Sequence, residues 1–206
     1  MILLIAAIFA ATCLVGPSVA QTTAAVAPEG TTLTSDSGIN ITQMNATVVS
    51  MYEFFGPAAF DIAEAVKFTS PSPTWTLNRV EVLGFDGFNG TAQAIPRDRV
   101  ISMEIRDANL NLIYKWTDSQ LPYFNFRNNV TGPLVSLIDL PPVTVNGDFY
   151  ICFYDRSAIF IGTELENATG NSFIFDRVAK QLVPAALPAG ENQTLPVNWV
   201  IRAIGQ

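Results

Sequence analysis

The 206-residue chain is 49% hydrophobic and 14% charged, with 11 basic against 18 acidic residues and no histidine. Its net charge of −7 and pI near 4.4 oppose nucleic acid and anionic membrane surfaces as partners. The missing imidazole excludes every triad, dyad and metal site built on it, and the high hydrophobicity specifies a folded chain with a sizeable core.

Ile2 to Ala11 is an unbroken apolar run, and Ser18-Val19-Ala20 places small residues at the −3 and −1 positions of a signal-peptidase site. No Lys or Arg precedes the run, so the α-amino group is its only positive charge. The run is short for a bilayer span of about 20 residues. Residues 1–20 are therefore expected to be a signal peptide, the mature chain to begin at Gln21, and no membrane span to remain. Gln21 to Thr47 is rich in Thr, Ala, Ser and Asn, which predicts a polar linker or stalk over 21–47 and a folded domain over 48–206. The first core residues expected are Val48 and Val49.

Beyond the tail the pattern is mostly strands. Phe60–Val66 and Arg177–Leu182 are the two stretches that fit a short helix. Trp75–Gly84 alternates, with Leu77, Val80 and Val82 apolar. Val100–Arg106 puts Ile101, Met103 and Ile105 on one face and Ser102, Glu104 and Arg106 on the other. Asp107–Asn111 is a turn, and Leu112–Trp116 returns as its hairpin partner. Val135–Leu140 is a strand ended by Pro141-Pro142. Val143–Asp148 turns into the aromatic strand Phe149–Tyr154. Ala158–Gly162, Ser172–Phe175 and Asn198–Ala203 complete the set. Short strands separated by Gly/Pro turns predict an all-β fold, an antiparallel β-sandwich or jelly roll with a polar N-terminal tail.

Three successions, Phe68–Leu77, Val145–Phe153 and Asn198–Ala203, together with Arg79–Gly84 and Met103–Asp107, carry a resemblance. Over about residues 65–205 the chain resembles jelly-roll accessory modules of secreted and cell-surface proteins of bacteria and methanogenic archaea. The resemblance implies the fold and brings no catalytic residues with it.

Six N-x-T sequons, at Asn40, Asn45, Asn89, Asn129, Asn167 and Asn192, several beside Gly or Pro, are candidate N-glycosylation sites. With the signal they describe an extracellular glycoprotein associated with a cell surface. After signal cleavage Cys152 is the only cysteine, so no intramolecular disulfide forms. Its alternation with Tyr150 and Tyr154 predicts a buried thiol rather than a nucleophile.

Paired carboxylates would serve a glycosidase without histidine, and Asp98 with Glu104 or Asp107 with Asp118 are the candidates. Each lies in a turn or on a polar strand face, where solvated charge is the bland alternative. Asp86–Asn89 and Asp107–Asn111 offer oxygen ligands to a structural Ca2+, while Asx turns account for them equally. No other cofactor is expected. Trp75 and Trp199 are expected in the core. Trp116, Tyr123, Phe124 and Phe126 could stack on sugar rings or form a protein-assembly patch. Sequons are absent from Val100–Trp116, so its polar face, with Ser102, Glu104, Arg106, Asn111 and Lys115, is the expected partner contact, with Trp116 at the rim. The leading expectation is a non-catalytic surface module with a structural, adhesive or assembly role, through self-assembly or a surface protein or polysaccharide partner. A carbohydrate-binding lectin-like module is the alternative, and a carboxylate-dependent hydrolase stands behind both.

Overall fold

The computed structural model describes residues 30–85, 101–118, 133–155, 159–190 and 193–206, with the backbone alone described at Ile101 and Asp118. The expected signal peptide (residues 1–20), Asp98, Asn89, Asn129, Asn192, Tyr123, Phe124 and Phe126 lie outside the described residues.

In chain order the strands are β1 (Thr31–Leu33), β2 (Thr47–Val49), β3 (Ile62–Thr69), β4 (Thr76–Phe85), β5 (Ile101–Asp107) and β6 (Leu112–Asp118). They continue as β7 (Leu134–Thr144), β8 (Asp148–Tyr154), β9 (Phe160–Glu164), β10 (Ser172–Asp176) and β11 (Gln181–Pro184). Last come β12 (Ala186–Gly190), β13 (Gln193–Pro196), β14 (Asn198–Trp199) and β15 (Ile201–Gly205). A short helix, α1 (Met51–Phe55), and a 3-10 helix over Gly56–Asp61 separate β2 from β3. One sheet runs β1-β15-β4-β9-β14, with β7 added on β4 and β2 on β9. The other runs β11-β10-β3-β8-β5-β6, and β12-β13 form a separate hairpin. Every pairing is antiparallel, and the fold is all-β.

Alternation explains the layering. Val66 and Phe68 on β3, Met103 and Ile105 on β5, and Phe149, Ile151 and Phe153 on β8 point inward. They meet Leu77, Val80 and Val82 of β4 and Ile201 and Ala203 of β15 in one buried core. Phe149 sits between Phe68 and Trp75, with ring centroids 5.6 and 6.0 Å away. Trp75 and Trp199 are buried as expected, and the Trp199 indole donates to the Phe173 carbonyl at 2.8 Å. Gly205 allows the closest backbone approach in the core. A Cβ there would run into the Thr76 carbonyl and come within 2.6 Å of the Trp75 ring.

The strand expectations hold for β4, β5, β6, β8 and β10, and the Asp107–Asn111 turn closes the β5–β6 hairpin. Three others need correction. Phe60–Val66 is not an α-helix: Phe60 and Asp61 end the 3-10 helix and Ile62–Val66 belong to β3, because Ile62, Val66 and Phe68 satisfy the core at strand period whatever the helix propensity of Ala-Glu-Ala. Arg177–Leu182 is a turn leading into β11. β7 runs through Pro141-Pro142 instead of ending there. The prolines fall where the register jumps between Leu77↔Val143 and Arg79↔Asp139, and β7 pairs only with β4, so their missing N–H groups cost no ladder bond.

The polar segment is also not a free stalk from residue 30 onward. β1 pairs with β15, and Ile41 packs with Leu83 and Val200 on the outer face of the first sheet. Asp36 and Arg202 form a buried ion pair beside them. Small polar residues disguise the segment because it is held by hydrogen bonds and one ion pair more than by apolar bulk.

Candidate functional site

The expected partner face on the β5–β6 hairpin is open only at Asn111 and Lys115, and its β5 half is closed. Ser102, Glu104 and Arg106 are all buried. The reason is position: β5 lies between β6 and β8, and its outer face is roofed by its own polar and aromatic neighbours. Glu104 Oε2 accepts from Arg106 Nη2 at 2.7 Å, from Arg106 Nε at 3.0 Å and from the Tyr154 hydroxyl at 2.8 Å. The Arg106 guanidinium covers the Phe175 ring at 4.9 Å and donates to the Leu110 carbonyl. Burial raises the Glu104 carboxyl, yet the Arg106 and Tyr154 hydrogen bonds and the nearby Arg106 and Lys115 charges outweigh it, leaving it below the usual range. Its role is to neutralise this layer. Trp116 faces the other way and packs, half-buried, against the main core.

Cys152 is buried and shares its face with Tyr150 and Tyr154, as alternation requires. The face is the outer one of the second sheet, where Ala63, Ala65, Tyr154 and Phe175 enclose the thiol in a smaller cluster. Burial pushes that thiol far above its ordinary range. The Asp107 carboxylate is spent on its own turn, accepting from the Asn109 and Asn111 amides and the Asn111 side chain. Among the described residues no three His, Cys, Asp or Glu side chains come together to hold a metal. Asn40, Asn45 and Asn167 are exposed. Asn40 Oδ1 caps the 3-10 turn by accepting from the Thr42 amide and hydroxyl, which leaves Nδ2 clear of that turn.

Among the described residues an exposed aromatic strip lies at α1, which the sequence analysis did not single out. Ser50 caps the helix by accepting from the Tyr52 amide, and Gly56 ends it with φ +55°, a conformation that favours glycine. Met51 and Ala59 anchor the segment in the core. So short a helix has one buried face, and its other side chains point outward. Tyr52 is 38% exposed, Phe54 48%, Phe55 42% and Phe60 42%, although Phe60 also keeps an interaction within the chain. Glu53 is the only charged residue on the helix. The signal was present in Tyr-Glu-Phe-Phe-Gly-Pro, aromatic residues crowded against a helix breaker.

Beneath this strip lies an acid pair. Glu64 on β3 is opposite Phe153 on β8, and Asp155 follows Tyr154, the last residue of β8. Both carboxyls are fully buried. Asp155 Oδ2 accepts from the Met51 amide, at the start of α1, at 2.7 Å. Among the described residues neither Glu64 oxygen has a hydrogen-bond partner. Burial first, then the Asp155 charge, push the Glu64 carboxyl well above its ordinary range. An amide pointing at Asp155, and no third His, Cys, Asp or Glu ligand among the described residues, make the pair a poor cation cage. Full burial also keeps it from any substrate.

No helix among the described residues is long and apolar enough to cross a membrane. Comparison with known protein families, with characterised proteins and with solved structures finds no match for the chain.

Proposed function

We propose that the chain is a non-catalytic extracellular glycoprotein module that works by adhesion at a cell surface, and that the α1 strip contacts a neutral glycan. The observation that carries this reading is the exposure of Tyr52, Phe54, Phe55 and Phe60 on a capped, core-anchored segment. At about 40% of the roughly 200 Å² an aromatic side chain carries, these rings offer on the order of 350 Å². A stable protein dimer needs about 800 Å² per partner, so the strip is undersized for a second copy of the chain.

Charge narrows the partner further. No Lys or Arg lies between Ser50 and Asp61, and the chain carries −7, so anionic lipid and acidic polymers are repelled. Pyranose rings present flat C–H faces to aromatic rings and hydroxyl groups to acceptors. The Phe rings supply the first need, and the Glu53 carboxylate and Tyr52 hydroxyl the second. The signal segment, the exposed Asn40, Asn45 and Asn167, and the likeness of strand succession to jelly-roll accessory modules support an extracellular setting. The test is a glycan array probed with the parent and with Tyr52→Ala. Saturable binding to neutral glycans, weakened at least tenfold by the substitution, supports the reading; binding that ignores it counts against the strip.

A further inference from the structure

We infer that Asn146-Gly147 is a deamidation site held shut by Ser70, so that the asparagine turns into aspartate or isoaspartate only when the junction between the two sheets opens.

The turn itself creates the labile pair. Gly147 has φ +67°, a conformation that favours glycine, and asparagine suits the tight turn before it. Both residues are exposed, so water and base reach them. Without a Cβ beside it, the Gly147 nitrogen is an unhindered nucleophile. In the covalent step it gives its proton to solvent base and attacks Asn146 Cγ. The N–Cγ bond forms, the Cγ–Nδ2 bond breaks, and ammonia leaves with a proton from solvent. Water then opens the ring. Hydrolysis at Cγ yields aspartate, and hydrolysis at the Asn146 carbonyl carbon yields isoaspartate, whose backbone is one atom longer. Water is the only reactant consumed and ammonia the only molecule released.

The fold closes this path. Asn146 and Gly147 lie in the link from β7 of the first sheet to β8 of the second. Before them, the buried Val145 donates its amide to the Trp75 carbonyl at 3.0 Å. After Asn146, the Gly147 N–H donates to Ser70 Oγ at 2.8 Å, and the Gly147 carbonyl accepts from the Ser70 amide at 2.9 Å. The proton that must leave is thus held by the Ser70 hydroxyl. Gly147 is pinned at both its amide and its carbonyl, and cannot turn towards Cγ without breaking those bonds.

Ser70 is placed for this by its neighbours. Thr69, the last residue of β3, pairs with Asp148, and its hydroxyl donates to the Asp148 carboxylate at 2.6 Å. Lys67 binds the same carboxylate at 2.8 Å. Pro71 follows Ser70 and holds its backbone extended. Isoaspartate would put an extra backbone atom between the Trp75 and Ser70 anchors, so the altered link could not close as before.

The test is peptide mapping of the full chain held at mildly alkaline pH, reading aspartate and isoaspartate at Asn146 over time. Two hydrogen bonds should make the native parent about thirtyfold slower than the parent unfolded in urea. Native Ser70→Ala loses one of them and should react about fivefold faster than the parent. Ser70→Thr keeps the hydroxyl and should keep the parent's rate, and in urea all three should match. Amide protection at Val80–Val82 in β4 verifies that each variant is folded. If the alanine variant is not, hydrogen exchange at the Gly147 amide of the parent decides, and protection is expected. No deamidation at Asn146 in urea overturns the site. A native parent as fast as the unfolded chain, a folded Ser70→Ala at the parent's rate, or an unprotected Gly147 amide overturns the gate.

Discussion

Asp36 and Arg202 form a bidentate ion pair, with Nε to Oδ2 and Nη2 to Oδ1 both at 2.9 Å, across nearly the whole described chain. Arg202 Nη2 also donates to the Ile39 carbonyl at 2.6 Å, and Asp36 Oδ1 accepts from the Gly38 amide. A weak, polar-looking N-terminal segment is thereby clamped to β15. Replacing Arg202 by Leu strands a buried carboxylate and should cost about 3–5 kcal/mol in urea unfolding. A cost below about 1 kcal/mol would mean that the clamp is dispensable and that residues 30–46 behave as a tail.

Gly205→Ala tests the other attachment of β15. The added methyl meets the Thr76 carbonyl and the Trp75 ring, neither of which is the far end of a flexible chain. A loss of about 1–3 kcal/mol is expected, corresponding to a fall of several degrees in Tm. An unchanged Tm would show that β15 can shift against β4.

The Glu64 carboxyl makes stability depend on pH in an unusual direction. Its folded-state titration lies above that of an unfolded glutamate, so between the two the folded chain binds more protons. Stability from this group is fully present below the unfolded value, near 4.5, and is lost as pH rises towards the folded value. The slope is about 1.4 kcal/mol per pH unit for one proton. Glu64→Gln should flatten that slope in denaturant titrations from pH 5 upward. A Gln variant with the parent's slope would place the titrating group elsewhere.

How much of this was legible in the sequence differs by element. The hairpin of β5 and β6, the core tryptophans and the aromatic strand β8 followed from alternation, because their apolar faces are strict. Glu104 and Arg106 obeyed the same alternation and were misplaced. Period assigns a side chain to a face, and only the strand order reveals that Tyr154, Phe175 and Leu110 roof it. Glu64 was hidden inside Ala-Glu-Ala, where helix propensity and strand period both fit. Nothing local indicates that a glutamate will face the core near Asp155, which lies just past the end of another strand. The aromatic strip was visible as composition. Its exposure depends on α1 being too short to bury more than Met51.

Cys152 offers an independent check on the second sheet. Enclosed by Ala63, Ala65, Tyr154 and Phe175 and with its thiol held protonated by burial, it should resist a thiol reagent in the native protein and react fully in denaturant. Fast native labelling would show that the outer face of that sheet is open, and with it the Glu104 layer.

The most direct measurement of the central claim is binding of neutral glycans by the parent and by the Phe54→Ala/Phe55→Ala double variant, at matched folding by circular dichroism. Both rings are solvent-exposed, so the variant should unfold at nearly the parent's temperature. Each ring lost is expected to weaken binding about tenfold, on the scale of 1.4 kcal/mol, and the pair to abolish it at micromolar concentration. Parent binding that survives both substitutions, or a parent that binds no neutral glycan, would contradict the account.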